Sequence, residues 1–135
     1  MEIRLLNSNE RDDFYELSAK LGSVFSSEDW HQMYDDNLKI FGISDKGGKL
    51  IGGFHLYEER KFGFKYYRNP PFSPHIGLFF ENRSKNPAKA QSTTKNLLTQ
   101  LSVFLKQKPK GLLMLALPPE INDAQPFTWR GFKSI

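Results

Sequence analysis

The chain of 135 residues contains no cysteine. Disulfide frameworks, thiolate zinc sites and cysteine nucleophiles are therefore excluded. Long apolar runs are also missing: the opening residues MEIRLLNSNERDD turn charged at once, unlike a signal peptide, and no segment could span a bilayer. These absences predict one cytoplasmic domain over residues 1–135.

Several catalytic patterns are absent as well. The sequence has no P-loop, no dinucleotide fingerprint and no Gly-x-Ser-x-Gly elbow. Its histidines, His31, His55 and His75, lack the i, i+4 spacing of a helical metal pair, so no metal site is predicted. We interpret each as a surface histidine or a hydrogen-bonded structural one.

The overall composition is that of a folded, basic protein. Aromatic residues make up 14% of the chain and charged residues 25%, which argues against disorder. The formal net charge of +4 favours anionic partners such as phosphates, nucleic acid or acidic lipid surfaces. Because basic and acidic residues are interspersed, the simpler interpretation is an ordinary solvated face.

The periodicity of the first forty residues predicts a strand and two short helices. EIRLLN alternates as a strand does. Asn9 is the expected N-cap of the first helix and Gly22 its end, while Ser26 and Asp29 fit a capping pair for the second helix.

The next segment predicts an antiparallel meander. LKIFGI and KLIGGFHLYEE flank the turn DKGG, and RKFG makes a second turn into FGFKYYR. Gly52 and Gly53 indicate a bulge or a close backbone approach. RNPPFSPH, residues 68–75, is expected to be a rigid crossing to the strand IGLFF, since proline cannot take part in a central strand.

The last third predicts one long helix and two strands. Asn86 caps the helix, Pro87 fits its first turn, and Leu97, Leu98, Leu101, Phe104 and Leu105 form its apolar stripe. LLMLAL has the composition of a buried strand, and FTWRGFKSI that of an exposed strand edge.

This order predicts an α+β fold, a mostly antiparallel mixed sheet flanked by helices on both faces. It is the order of the GNAT acetyltransferases. Three phrases, SVFSSEDWHQMY, RNPPFSPHIGLFF and PFTWRGFKSI, resemble the N-terminal half of FemAB-like and BioF2-like N-acyltransferases, in which two GNAT-like halves are fused.

The resemblance implies transfer of an acyl or aminoacyl group to an amine or a peptidoglycan-precursor-like acceptor. The donor in such a full-length protein would be acetyl-CoA, another acyl-CoA or an aminoacyl-tRNA. A half on its own would be inactive, and its partner would be the missing C-terminal half or a second chain at the edge formed by residues 127–135.

The resemblance also locates a candidate coenzyme site. GNAT members hold the pyrophosphate in Arg/Gln-x-x-Gly-x-Gly/Ala, before the long helix. The corresponding stretch here, FENRSKNPAKAQSTTKN, has no glycine, so the site is expected to be absent or degraded. Arg83, Lys85 and Asn86 are the candidates for any phosphate contact, at the helix N-terminus.

The candidate acceptor-binding residues are Tyr67, Arg68, Phe72 and His75, which the proline segment would present to a ligand. The alternative is an apolar plug that protects a sheet edge. Two alternatives also stand for the whole chain: a complete small GNAT N-acetyltransferase that uses acetyl-CoA, or a non-enzymatic binding or dimerisation module.

Overall fold

A computed structural model describes residues 1–82, 85–107, 113–114, 116–119 and 121. The elements follow in this order: β1 (Glu2–Leu5), α1 (Arg11–Leu21), a 3₁₀ turn (Val24–Ser26), α2 (Glu28–His31), β2 (Leu38–Ser44), β3 (Leu50–Lys61), β4 (Phe64–Arg68), β5 (Phe79–Phe80), α3 (Pro87–Lys106) and β6 (Leu113–Met114).

The chain divides into two compact units, one of residues 1–81 with 109–118 and the other of residues 82–108 with 119–135. The first unit contains the sheet and the short helices, and the second contains α3. The segment FTWRGFKSI, with the predicted strand edge, lies outside the described residues.

The described strands form one mixed sheet in the order β1-β2-β3-β4-β6, with β5 also paired to β3. Every pair is antiparallel except β4 with β6, which is parallel. The sequence prediction of a mostly antiparallel mixed sheet is therefore confirmed. Of the predicted strand LLMLAL, residues 113 and 114 form β6, and the described residues Ala116 and Leu117 lie outside the strand.

The core of the first unit forms where α1 packs on the sheet. Phe14 of α1 is fully buried and meets Phe79 edge-on, with ring centroids 5.1 Å apart. A Cβ on Gly53 would lie 2.4 Å from the Phe14 ring, and one on Gly52 would lie 2.3 Å from the Phe79 carbonyl oxygen. The predicted close approach at these glycines is thus confirmed.

The two predicted N-caps were each misplaced. At α1 the side chain of Asn7 accepts hydrogen bonds from the amides of Asn9 and Glu10, so the turn closes before the helix begins. At α2 the cap is Ser27, whose hydroxyl accepts from the Trp30 amide. Several Asn and Ser residues compete as caps in both stretches, and local spacing alone did not rank them.

The long helix begins as predicted. Asn86 Oδ1 accepts hydrogen bonds from the amides of Ala88 and Lys89 at 3.0 and 3.5 Å, and Pro87 follows the cap. Four members of the predicted stripe are buried: Leu97, Leu98, Leu101 and Leu105. In the part of the chain that is described, no helix is both long enough and apolar enough to cross a membrane.

Candidate functional site

Residues 69–78, called here the proline loop, leave the sheet between β4 and β5, two segments that occupy the same place beside β3. Both β4 before the loop and β5 after it pair with β3, and the His55 amide donates to the Ile76 carbonyl oxygen at 2.9 Å. The loop is therefore an excursion within one strand position, which corrects the predicted crossing between two neighbouring strands. Prolines suit the excursion because they need no ladder partner for an amide hydrogen.

A single residue that follows β6, Ala116, joins the two ends of the proline loop. The Ala116 amide donates to Asn69 Oδ1, and the Ile76 amide donates to the Ala116 carbonyl oxygen, both at 3.0 Å. The excursion is thus closed at its base by hydrogen bonds rather than left open.

The outer part of the loop is fastened to the segment around α2. Trp30 Nε1 donates to Ser73 Oγ at 3.1 Å, and the Tyr34 hydroxyl donates to the Pro71 carbonyl oxygen. The ring of Phe25 meets His75 edge-on at 5.4 Å. Two of the three phrases that carry the family resemblance are therefore in direct contact.

Beneath the loop, buried polar rings form a chain. Tyr15 Oη and His31 Nδ1 are 2.9 Å apart, and a second hydrogen bond of 2.9 Å joins His31 Nε2 to His55 Nδ1. His75, the third histidine, accepts a hydrogen bond at Nδ1 from the Gly77 amide at 2.9 Å. All three histidines are buried and hydrogen-bonded, so the structural interpretation holds for each and the surface one is wrong.

Burial determines the protonation states of the hydrogen-bonded side chains Tyr15, His31 and His55. It raises the pKa of Tyr15 to about 12 and lowers the pKa of His31 to about 4 and that of His55 to about 3. The neighbouring His31 further lowers the pKa of His55, and the His75 carbonyl acts in the opposite direction. At neutral pH the three side chains are therefore uncharged.

The predicted acceptor residues on β4 separate to opposite sides of the strand. Tyr67 is buried and donates its hydroxyl to Glu58 Oε2 at 3.1 Å, and burial raises the pKa of its phenol. Arg68 is exposed and its Nη1 lies 3.2 Å from Glu59 Oε1. The structure does not bring these two side chains together, and their binding role stays a prediction.

The predicted acceptor residues in the loop also differ from each other. His75 is buried against Phe25, whereas Phe72 exposes 95% of its surface at a φ of +67°. The Ser73 amide donates to the Pro70 carbonyl oxygen, which places Phe72 at the third position of a turn. That position, with its positive φ, normally holds glycine or asparagine.

A cleft that the sequence patterns did not reveal lies between α1 and α2. It has a volume of about 540 Å³. The lining residues are Tyr15, Ser18, Ala19, Gly22, Ser23, Val24, Ser27, Glu28 and Asp29. Glu28 and Asp29 form no ion pair with another described residue, so the cleft is acidic. The local signal was SSED, a serine-capped helix start with two carboxylates.

The start of α3 lacks the glycines of the pyrophosphate cradle that the GNAT resemblance implies. Asn86 Oδ1 already accepts from the first amides of the helix, Pro87 has no amide hydrogen, and no glycine lies between Gly77 and Gly111. Lys85 is exposed at this end, and Arg83 lies outside the described residues. The prediction that this phosphate site is weak or absent remains in place.

The described residues also include no group of three or more His, Asp or Glu side chains that could hold a metal ion. The side chains hydrogen-bonded within the His31–His55 pair and to it are those of Tyr15 and the two histidines.

No protein-family model and no curated protein matches the sequence. Solved structures do match. An aminoglycoside 6′-N-acetyltransferase of Acinetobacter haemolyticus aligns with 99% of this chain and 92% of its own, at 15% identity and a TM-score of 0.51. A GNAT family acetyltransferase of Staphylococcus aureus aligns over the same shares at 13% identity and a TM-score of 0.54.

An acetyltransferase of Trypanosoma brucei aligns with 99% of this chain and 93% of its own, at 14% identity and a TM-score of 0.51. These structures give no support to the FemAB-like or BioF2-like assignment, or to the reading as one half of a tandem protein. This chain spans more than nine-tenths of the length of each of the three proteins. The polypeptide has the α+β fold of the GNAT acetyltransferases.

Proposed function

We propose that this chain is a GNAT-type N-acyltransferase whose acceptor is a small cationic amine bound in the acidic cleft between α1 and α2. The observation that carries the proposal is the cleft lining, which includes Glu28, Asp29 and Tyr15. Carboxylates make charge-assisted hydrogen bonds to ammonium groups, which are about twice as strong as neutral ones.

The energetics favour an acceptor that carries more than one amine. An exposed ion pair contributes only about 0–1 kcal/mol, so one carboxylate would hold a monoamine weakly. Two neighbouring carboxylates can engage two ammonium groups of one molecule. Polyamines and aminoglycosides are therefore the substrate class that we propose, and the similar Acinetobacter haemolyticus enzyme is an aminoglycoside acetyltransferase.

Tyr15 contributes a neutral hydroxyl group to the lining of the acidic cleft. Because burial raises its pKa to about 12, the phenol stays protonated at neutral pH. Its hydrogen bond to His31 fixes the direction of the ring, and a neutral hydroxyl can hydrogen-bond an amine in either protonation state. Tyr15 would thus orient the acceptor rather than supply charge.

A transfer assay with the full chain tests the proposal. Acetyl-CoA is mixed with spermidine or kanamycin, and release of the coenzyme thiol and the acetylated amine are followed by mass spectrometry. We expect acetylated product, reduced about tenfold or more when Glu28→Gln and Asp29→Asn are combined, which is the loss expected from two charge-assisted contacts. Glu16→Gln, an exposed charge on α1 outside the cleft lining, is the matched control.

Product that forms equally well in the double variant would overturn the cleft as acceptor site. Amine binding that needs Glu28 and Asp29 but gives no product would support the other candidate, in which this chain supplies only the acceptor side of a larger enzyme. The poor fit of the α3 start to a pyrophosphate is the observation that favours it. Neither binding nor transfer would contradict both functions.

A further inference from the structure

The turn between β3 and β4 is built from an unusual residue. Lys61 pairs with Phe64, so the loop has two residues, Phe62 at a φ of +54° and Gly63 at +82°. Positive φ at both positions is the signature of a type I′ turn, in which Asn-Gly or Gly-Gly is preferred. Here the first position holds a phenylalanine instead.

Phe62 gains nothing from the fold in return. Its surface is 97% exposed, so the ring has no packing partner that would offset the strain. A left-handed backbone costs a residue with a Cβ about 1 kcal/mol or more relative to glycine. Asparagine would satisfy the turn better, which points to a role for this ring outside the chain.

The charges beside the turn are also unfavourable for the isolated hairpin. Arg60 on β3 lies directly opposite Lys65 on β4, and like charges at facing positions destabilise a sheet. Glu58 lies 3.9 Å from Arg60 Nε and 3.9 Å from Lys65 Nζ, so one carboxylate serves two cations while also accepting from Tyr67. Lys61 adds a further positive charge to this part of the sequence.

We propose that this hairpin tip, residues 60–65, docks on an anionic lipid bilayer. Phe62 enters the headgroup region, Phe64, which is 51% exposed, lies at the interface, and Arg60 and Lys65 bind lipid phosphates. Both unfavourable features of the isolated hairpin are then offset, because the ring leaves water and the two cations, which share the single carboxylate of Glu58, gain further anionic partners. Aromatic and basic residues are those that bind such an interface.

The shape of the hairpin tip favours a membrane over nucleic acid as its anionic partner. Single-stranded nucleic acid is bound in basic grooves that present several stacking platforms. Small ligands need a concave site. A ring at the apex of a two-residue turn is convex and suits a deformable planar surface. This proposal uses only the hairpin and is independent of the amine cleft.

Vesicle co-sedimentation of the full chain tests the docking. We expect binding to vesicles of phosphatidylcholine with one-quarter phosphatidylglycerol and little binding to phosphatidylcholine alone. Phe62→Asn is the informative variant, because asparagine fits the turn and should not lower stability. The partition coefficient should fall about tenfold, on the order expected for withdrawing one aromatic side chain from water.

Phe72→Asn is the matched control, since it makes the same chemical change at another exposed phenylalanine with positive φ. It should leave vesicle binding unchanged, whereas Arg60→Gln with Lys65→Gln should weaken binding and its salt dependence. The proposal is overturned if the anionic vesicles do not bind, if Phe62→Asn binds as well as the unmodified chain, or if Phe72→Asn is equally impaired. Binding of poly(U) RNA that depends on Phe62, without vesicle binding, would also overturn it and assign the tip to nucleic acid.

Discussion

Phe62 and Phe72 both adopt positive φ and expose almost their whole surface, yet the segments that hold them differ. Phe72 sits between two anchored neighbours, because Pro71 accepts from Tyr34 and Ser73 accepts from Trp30. Among the described residues, only the strand pairs of its hairpin hold Phe62. A strained backbone persists where the surroundings over-determine it, so we expect the proline loop to be the stiffer segment.

The largest difference between the two regions should appear with pH. The proline loop contacts His55, which is hydrogen-bonded to His31, and burial lowers the pKa of His31 to about 4 and that of His55 to about 3. Unfolded histidine titrates near 6.5, so between pH 6.5 and 4 the unfolded chain binds more protons and stability falls as pH falls. From pH 7 to pH 5 we expect a loss of about 4 kcal/mol from the two rings together.

Urea unfolding at pH 7 and pH 5 measures this loss. His31→Gln removes one titrating ring and should make the pH dependence shallower. The paired part of the β3–β4 hairpin, residues 57–68, contains no histidine, so its exchange rates, corrected for intrinsic pH effects, should respond less. A free energy of unfolding that is the same at both pH values would contradict the buried neutral histidines.

The next largest effect is expected at two glycines that both have positive φ but differ in their surroundings. Gly77 has a φ of +67°, and a Cβ there would lie 2.5 Å from His55 Cε1, while Gly63 has a φ of +82° and nothing within 4 Å. Gly77→Ala should therefore combine backbone strain with overpacking and cost about 3 kcal/mol. Gly63→Ala should show the strain alone, about 1 kcal/mol. Denaturation midpoints that shift equally would mean that His55 does not pack as closely as this.

A smaller effect tests the anchoring of the loop. Trp30→Phe keeps an aromatic ring against Phe25 but removes the indole N–H that donates to Ser73. The loss of one such hydrogen bond should lower the free energy of unfolding by about 1 kcal/mol. Amide exchange in the proline loop should rise while exchange in the β3–β4 hairpin stays constant. Unchanged exchange at Ser73 would show that Trp30 does not hold the loop.

The smallest effect is a gain in stability. Phe62→Asn and Phe72→Asn each place a residue that tolerates positive φ where an exposed ring now sits. Each should raise the free energy of unfolding by roughly 0.5 kcal/mol, since strain is relieved and no packing is lost. Thermal unfolding of the two variants checks this. A loss of stability in either would reveal contacts of the ring within the chain.

Local patterns predicted the parts of the fold that depend on neighbouring residues. The Asn86-Pro87 helix start, the Gly22 helix end and the turns DKGG and RKFG are all present, because each depends on residues a few positions apart. The placement of the proline loop was not predicted, since β4 and β5 share β3 as partner and strand pairing is a tertiary property.

The site was harder to predict than the fold. His31, His55 and His75 come from a helix, a strand and a loop, and their grouping depends on how these elements pack. One signal was available: His55 lies in the apolar run GGFHLY, where a buried polar side chain needs a partner. The cleft could not be predicted, because its shape depends on the angle between α1 and α2.

Calorimetric titration with spermidine tests the central claim, an amine site in the acidic cleft, most directly. At neutral pH and low salt we expect saturable binding to the full chain and to Glu16→Gln, weakened about tenfold or more in the variant that combines Glu28→Gln with Asp29→Asn. Equal affinity in all three proteins would contradict the claim.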